Sequence, residues 1–131
     1  MKEKIKEFAL SMGADDVGVI AASDYKSPKS PDLQTILPGA KSLVVLAYKS
    51  LSNLESENMQ IAMGGRLDEL EFARSCNYRM ARFLDREFKA KAMTVPPSYP
   101  LYMKPRGHWE MFPYVTLPLP QALVTSAGTT L

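Results

Sequence analysis

The proline-rich C-terminal part constrains the folding of this 131-residue chain more than any other feature. Seven of the ten prolines lie beyond Val95. The three prolines within Phe112–Pro120 exclude a long helix or a central strand there, because proline fixes φ and has no amide donor. The tail Leu123–Leu131 shows no helical or strand period of useful length. We therefore expect residues 1–100 to form the folded domain and residues 101–131 to be an irregular tail.

Composition and charge narrow the class of protein. The chain is 46% hydrophobic and 23% charged, which is typical of a globular domain. Its net charge of +2 is too small to argue for nucleic-acid binding. No segment reaches the roughly 20 apolar residues of a membrane span, and the N-terminus does not look like a signal peptide. The single cysteine, Cys76, excludes an intrachain disulfide and favours a reducing, cytoplasmic setting.

Hydrophobic periodicity predicts an α/β fold. The pattern indicates a small mixed sheet of about three strands, with one long helix and a short N-terminal helix packed on it. The helices are expected at Lys2–Met12 and about Leu67–Lys89, with a helical turn at Asp32–Leu37, and the strands at Val17–Ala22, Ser42–Tyr48 and Ala92–Val95. Ser42–Tyr48 is apolar almost throughout, which is typical of a strand covered on both faces. Asn53–Gly65 reads as a connector.

Few residues of this chain could take part in catalysis or bind a metal ion. Cys76 lies on or beside the apolar face of the long helix, so we interpret it as a small buried hydrophobe, with a reactive thiol as the alternative. His108 is the only histidine, and one histidine cannot supply a Ser/His/Asp or Cys/His set. The glycines form no known phosphate-binding pattern. We therefore predict no catalytic residues and no metal ligands in this chain.

Arginines on the long helix provide the candidate binding surface. Arg74 and Tyr78 are four residues apart and so share a helix face, where they could hold a phosphate or a cofactor amide. The other arginines of this helix are Arg79, Arg82 and Arg86. The alternative is that these side chains form an ordinary solvated basic face. We take Arg74 and Tyr78 as candidate cofactor-binding residues.

Four segments resemble a known family: GADDVGVIAA, ILPGAKSLVVLAYKSL, FARSCNYRMARFL and AMTVPPSYPL. Together they span roughly residues 10–101 and resemble the N-terminal part of the epoxyqueuosine reductase-like iron–sulfur proteins, which are related to cobalamin-dependent reductases. The family helix carries an Ala-Arg-x-x-Asp-Tyr-His pattern. Here Asn77 and Arg79 replace its Asp and His. This departure fits a subgroup of the family and argues against an epoxyqueuosine substrate.

The resemblance implies cofactors that this chain does not hold alone. Such proteins bind cobalamin in the first domain and carry two [4Fe–4S] clusters in a following cysteine-rich module. They continue with a segment like D-V-S-L-R-H-A-A-x-A-A-G-L-G-x-F-G-R-x-x-L. Codons can be chosen for Trp109–Leu131 such that the same nucleotides, read in a frame shifted by two, encode GDVSLRHAAAAAGLGHFGRHNL. This peptide matches the family segment. We therefore expect a frameshift between about Leu101 and Arg106, and an N-terminal reductase domain without activity of its own.

Two other functions stay open at this point. An incomplete α/β domain leaves an exposed sheet edge or apolar face, so the chain could be a homo-oligomeric binding or assembly module without catalysis. A small nucleic-acid-binding domain is the third interpretation, and it depends only on one helix of arginines.

Overall fold

The computed structural model of the protein describes residues 1–26 and 32–95, together with the backbone of three later strands. The helices are α1 (Lys2–Ser11), α2 (Leu33–Ile36) and α3 (Met59–Phe88). The strands are β1 (Asp16–Ala21), β2 (Ser42–Lys49), β3 (Lys91–Thr94), β4 (Tyr102–Met103), β5 (Trp109–Glu110) and β6 (Gln121–Thr129). Short 3₁₀ turns occupy Ala22–Asp24 and Ser52–Glu55. The α/β class, with one long and one short N-terminal helix, is confirmed.

The main sheet is mixed and has the strand order β1-β2-β6-β3. β1 pairs with β2 in antiparallel fashion, from Asp16 opposite Ala47 to Ala21 opposite Ser42. β6 lies parallel to both of its neighbours, β2 and β3. β4 and β5 form a separate antiparallel pair. Since β2 and β3 run in the same direction, α3 is the crossover helix between them.

The prediction of an irregular tail at residues 101–131 is wrong at the three strands β4, β5 and β6, of which β6 is the longest. Leu123–Leu131 was expected to have no strand, yet Gln121–Thr129 forms a nine-residue strand inside the sheet. Its backbone pairs on both sides, and such a strand needs no alternation of polar and apolar residues to be specified. Periodicity therefore could not reveal it. The expected irregular segment at residues 111–120 and the histidine at position 108 lie outside the described residues.

The long helix begins eight residues earlier than its sequence pattern indicated, so part of the expected connector Asn53–Gly65 is helical. Asn58 caps it, because its side-chain Oδ1 accepts hydrogen bonds from the N–H groups of Gln60 (2.9 Å) and Ile61 (3.3 Å). The helix ends at Phe88, and Lys89 closes it in the left-handed conformation with φ of 53°. α1 ends at Ser11, and the residue with positive φ that follows its C-cap is a glycine, Gly13, with φ of 98°.

Two hydrophobic clusters hold the layers together, one on each face of the sheet. The larger cluster joins α1 and α3 to the sheet and includes Ile5, Val44, Leu46, Met80 and Leu84. The smaller one packs α2 and its flanking residues on the opposite face. β2 supplies both clusters, because alternate strand residues point to opposite faces. The prediction that β2 is covered on both faces is confirmed by the burial of its first three residues.

Adjacent glycines within α3 provide a matched test of how closely this helix is packed. A Cβ at Gly65 would overlap the Asn53 side chain and come within 2.7 Å of its Cγ, whereas a Cβ at Gly64 would meet nothing within 4 Å. We expect Gly65→Ala to lower the free energy of unfolding by about 1–3 kcal/mol. Gly64→Ala should raise it by up to about 1 kcal/mol, through helix propensity alone. Urea titration monitored by circular dichroism measures the free energy of unfolding of both variants. Equal changes in the two variants would contradict the close approach of Gly65 to Asn53.

Candidate functional site

The candidate cofactor-binding residues lie on the exposed side of α3. Arg74 and Tyr78 are both exposed, and Tyr78 retains 58% of its accessible surface. Their position follows from the neighbouring buried residues Ala73, Cys76 and Asn77, which face inward and so direct Arg74 and Tyr78 outward. α3 therefore presents Arg74 and Tyr78 to solvent from a rigid support.

Tyr78 is held by an arginine that the sequence interpretation did not select. The Arg82 guanidinium donates a hydrogen bond from Nη1 to the Tyr78 hydroxyl at 3.0 Å, and its Cζ lies 5.8 Å from the centre of the ring. The i to i+4 spacing of Tyr78 and Arg82 was the available signal. Arg74 makes no side-chain hydrogen bond or ion pair within the described part of the chain. The surface thus comprises one free guanidinium, Arg74, and one Tyr78–Arg82 pair.

Asn77 distinguishes this helix from the pattern that it resembles. Asn77 is 1% exposed and donates a hydrogen bond from Nδ2 to the Val95 carbonyl at 3.4 Å, which ties α3 to the end of β3. Its Oδ1 is buried and has no hydrogen-bond partner among the described residues. A carboxylate at this position would be an unpaired buried charge, which costs far more than an amide. The asparagine therefore fits its environment better than the aspartate of the family pattern would.

Cys76 is a core residue, which confirms the interpretation of it as a small buried hydrophobe. It is 1% exposed and unpaired, and its Sγ lies 3.9 Å from the Met12 carbonyl oxygen. Tyr48 of β2 is the neighbouring polar group. Burial raises the pKa of the Tyr48 hydroxyl well above its ordinary value, and the Cys76 thiol raises that pKa further by charge interaction and hydrogen bonding. This pair lies inside the core, away from the Arg74 and Tyr78 surface.

The side chains of the described residues can be compared with those that the implied cofactors need. No group of three or more His, Cys, Asp or Glu side chains is placed to hold a metal ion in that part of the chain. A [4Fe–4S] cluster needs four thiolates, and one buried cysteine does not fit it. For cobalamin, Arg74, Tyr78 and Arg82 could supply hydrogen bonds to its amide or phosphate groups from one side.

Comparison with known proteins yielded no match. No protein-family model matches the chain, and no significant match was found among curated proteins or solved structures. The resemblance to reductase N-terminal domains therefore stays a prediction carried by the sequence segments themselves. Within the described residues, no helix combines the length and the apolar character required to cross a membrane.

The buried Tyr48 hydroxyl should make stability depend on pH in the alkaline range. A tyrosine in the unfolded chain ionises near pH 10, while folded Tyr48 keeps its proton to higher pH. Its contribution to stability is thus fully present below about pH 10 and is lost as the pH rises further.

We expect the free energy of unfolding to fall less steeply above about pH 10 in Tyr48→Phe than in the wild type. Urea titrations at a series of alkaline pH values measure this slope. Tyr78→Phe is the control for loss of an exposed hydroxyl. Equal slopes for Tyr48→Phe and the wild type would show that Tyr48 ionises alike in the folded and unfolded states.

Proposed function

We propose that this chain is the N-terminal domain of a cobalamin- and [4Fe–4S]-dependent reductase-like protein, and that it is inactive by itself. One observation carries the proposal: α3, which contains the resembling segment FARSCNYRMARFL, holds Arg74 and Tyr78 exposed together on one side of the helix. In this proposal, Arg74 and the Tyr78–Arg82 pair form one wall of a cofactor site. The remaining walls and the cluster ligands belong to sequence that would follow in the other reading frame.

The same proposal includes a reducing, cytoplasmic setting. The support for it is Cys76, which is buried and unpaired in the core. The proposal leaves the substrate open, because no residue set in the described part selects one.

Anaerobic reconstitution tests the lack of cofactors in this chain. We expect incubation of the purified protein with iron, sulfide and cobalamin, followed by gel filtration, to leave no cluster absorption and no cobalamin spectrum in the protein fraction. The physical reason is that one buried thiol cannot replace four cluster thiolates, and one helix face cannot enclose a corrin. A cluster or cobalamin that stays with the chain would overturn the inactive-domain proposal.

Sequencing of the gene tests the proposed frameshift origin of the C-terminal tail. We expect an insertion or deletion near the codons for Leu101–Arg106, with cysteine-rich coding sequence following in the other frame. The read should extend from the codon for Met93 to several hundred nucleotides past that for Leu131. An intact frame without such sequence would mean that the tail, including β6, is the native continuation of the domain. The reductase resemblance would then concern the fold only.

A second candidate function is homo-oligomeric assembly. Exposed apolar side chains favour it, because several large residues of α3 remain accessible although the helix already packs on the sheet, among them Met59 at 78% and Leu67 at 56%. The edge strands β1 and β3 are the alternative contact surface. Sedimentation that shows a monomer at every concentration would contradict this candidate.

A further inference from the structure

A second apolar stripe runs along the outside of α3. Its members follow one another at three- or four-residue spacing and cover just over five turns of the helix. The stripe, called the outer stripe below, consists of Met59, Met63, Leu67, Leu70, Arg74 and Tyr78. Met63 is 50% exposed, Leu67 is 56% exposed and Leu70 is half-buried. This stripe is separate from the inner face of α3, which supplies the core.

The outer stripe is not needed for the fold of one chain. The inner residues Ala73, Cys76, Met80 and Leu84 already bury the side of α3 that faces the sheet. An amphipathic helix in a two-layer domain normally has polar residues on its opposite side. Here exposed methionine and leucine side chains extend the apolar surface of the N-terminal half beyond the inner face, onto the side of the helix next to it. Methionine side chains are flexible and polarizable, and they are common in surfaces that bind other protein segments.

Charges along α3 are unevenly divided between its two halves. The N-terminal half carries three acids against one base, and the C-terminal half carries four exposed arginines against two exposed acids. The acids are Asp68, Glu69 and Glu71 in the first half and Asp85 and Glu87 in the second; the bases are Arg66 in the first half and Arg74, Arg79, Arg82 and Arg86 in the second. A helix with a net negative half and a net positive half is complementary to a copy of itself turned end to end.

We propose that two copies of this chain associate through their outer stripes, with the α3 helices antiparallel about a twofold axis near Phe72 and Ala73. This arrangement places Leu67 of one copy against Tyr78 of the second copy, and Glu71 beside Arg74. Each such contact occurs twice, as the symmetry requires. The helix dipoles also oppose each other. A parallel pair would instead place Arg74 against Arg74. The proposal rests on the assembly candidate above and specifies its surface.

The sheet edges are poorer contact surfaces than α3. β3 has only four residues, begins with the exposed Lys91 and is followed in sequence by two prolines at positions 96 and 97. Lysine and proline on an edge strand discourage pairing with another sheet. At the other edge, the Asp16 carboxylate accepts a hydrogen bond from the Val17 N–H at 2.8 Å, so a charged group covers the start of β1. Edge pairing is therefore disfavoured at both ends of the sheet.

Charge reversal tests the antiparallel contact. Sedimentation velocity over a wide concentration range, at low salt, should show a monomer–dimer equilibrium for the wild type. We expect Glu71→Arg and Arg74→Glu each to weaken the dimer at least tenfold, because each places like charges together. The double variant should restore the dimer to within about threefold of the wild type. Leu67→Lys, which removes an apolar contact, should also weaken it at least tenfold.

The controls separate this proposal from the assembly candidate and from misfolding. Arg86→Glu reverses a charge on the same helix away from the axis and should leave the dimer within about threefold of the wild type. Circular dichroism should give the same helix content for every variant, since all the changed residues are exposed. A wild-type monomer at every concentration overturns both proposals. A dimer that tolerates Leu67→Lys and both single charge reversals overturns the α3 contact and leaves assembly through another surface.

Discussion

Burial of β2 is the constraint on which the rest of the structure depends. Val44, Leu46 and Tyr48 pack against the helices on one face, and Leu43 packs against the α2 region on the other. Burying one leucine or valine side chain contributes about 1.5–3 kcal/mol. This eight-residue strand supplies four buried hydrophobic side chains, as many as the much longer α3. β2 also pairs through its backbone with β1 and β6. Its position determines where every other element can lie.

The packing of α3 on this sheet also determines the candidate site. Cys76, Met80 and Leu84 fix the rotation of the helix about its axis, and this rotation turns Arg74 and Tyr78 outward. The proposed cofactor wall and the proposed dimer contact share these two residues, so the two uses compete for one surface. A dimer formed through the outer stripe would cover the cofactor wall. If both proposals hold, assembly and cofactor binding would exclude each other on this surface.

The tail illustrates how backbone pairing can act independently of side-chain pattern. α3 leaves a gap of one strand between β2 and β3, and β6 fills it with parallel pairing on both sides. Unpaired backbone groups inside a sheet are costly, and any extended segment free of proline can satisfy them. Gln121–Thr129 contains no proline and several small residues. It therefore meets the backbone requirement of a strand, although its pattern predicts none.

The sequence by itself determined the α/β class, the positions of β1, β2 and β3 to within a residue or two, and the burial of Cys76, because these depend on local hydrophobic period. It also identified α3, but placed its start eight residues too late, since the Asn58 cap and the Gly65 contact with Asn53 involve no apolar pattern. Only the tertiary structure decided the place of β6, the pairing of Tyr78 with Arg82 in preference to Arg74, and the burial of Asn77 against Val95. These features depend on contacts between residues that the fold brings together. The local sequence around a residue does not specify such contacts.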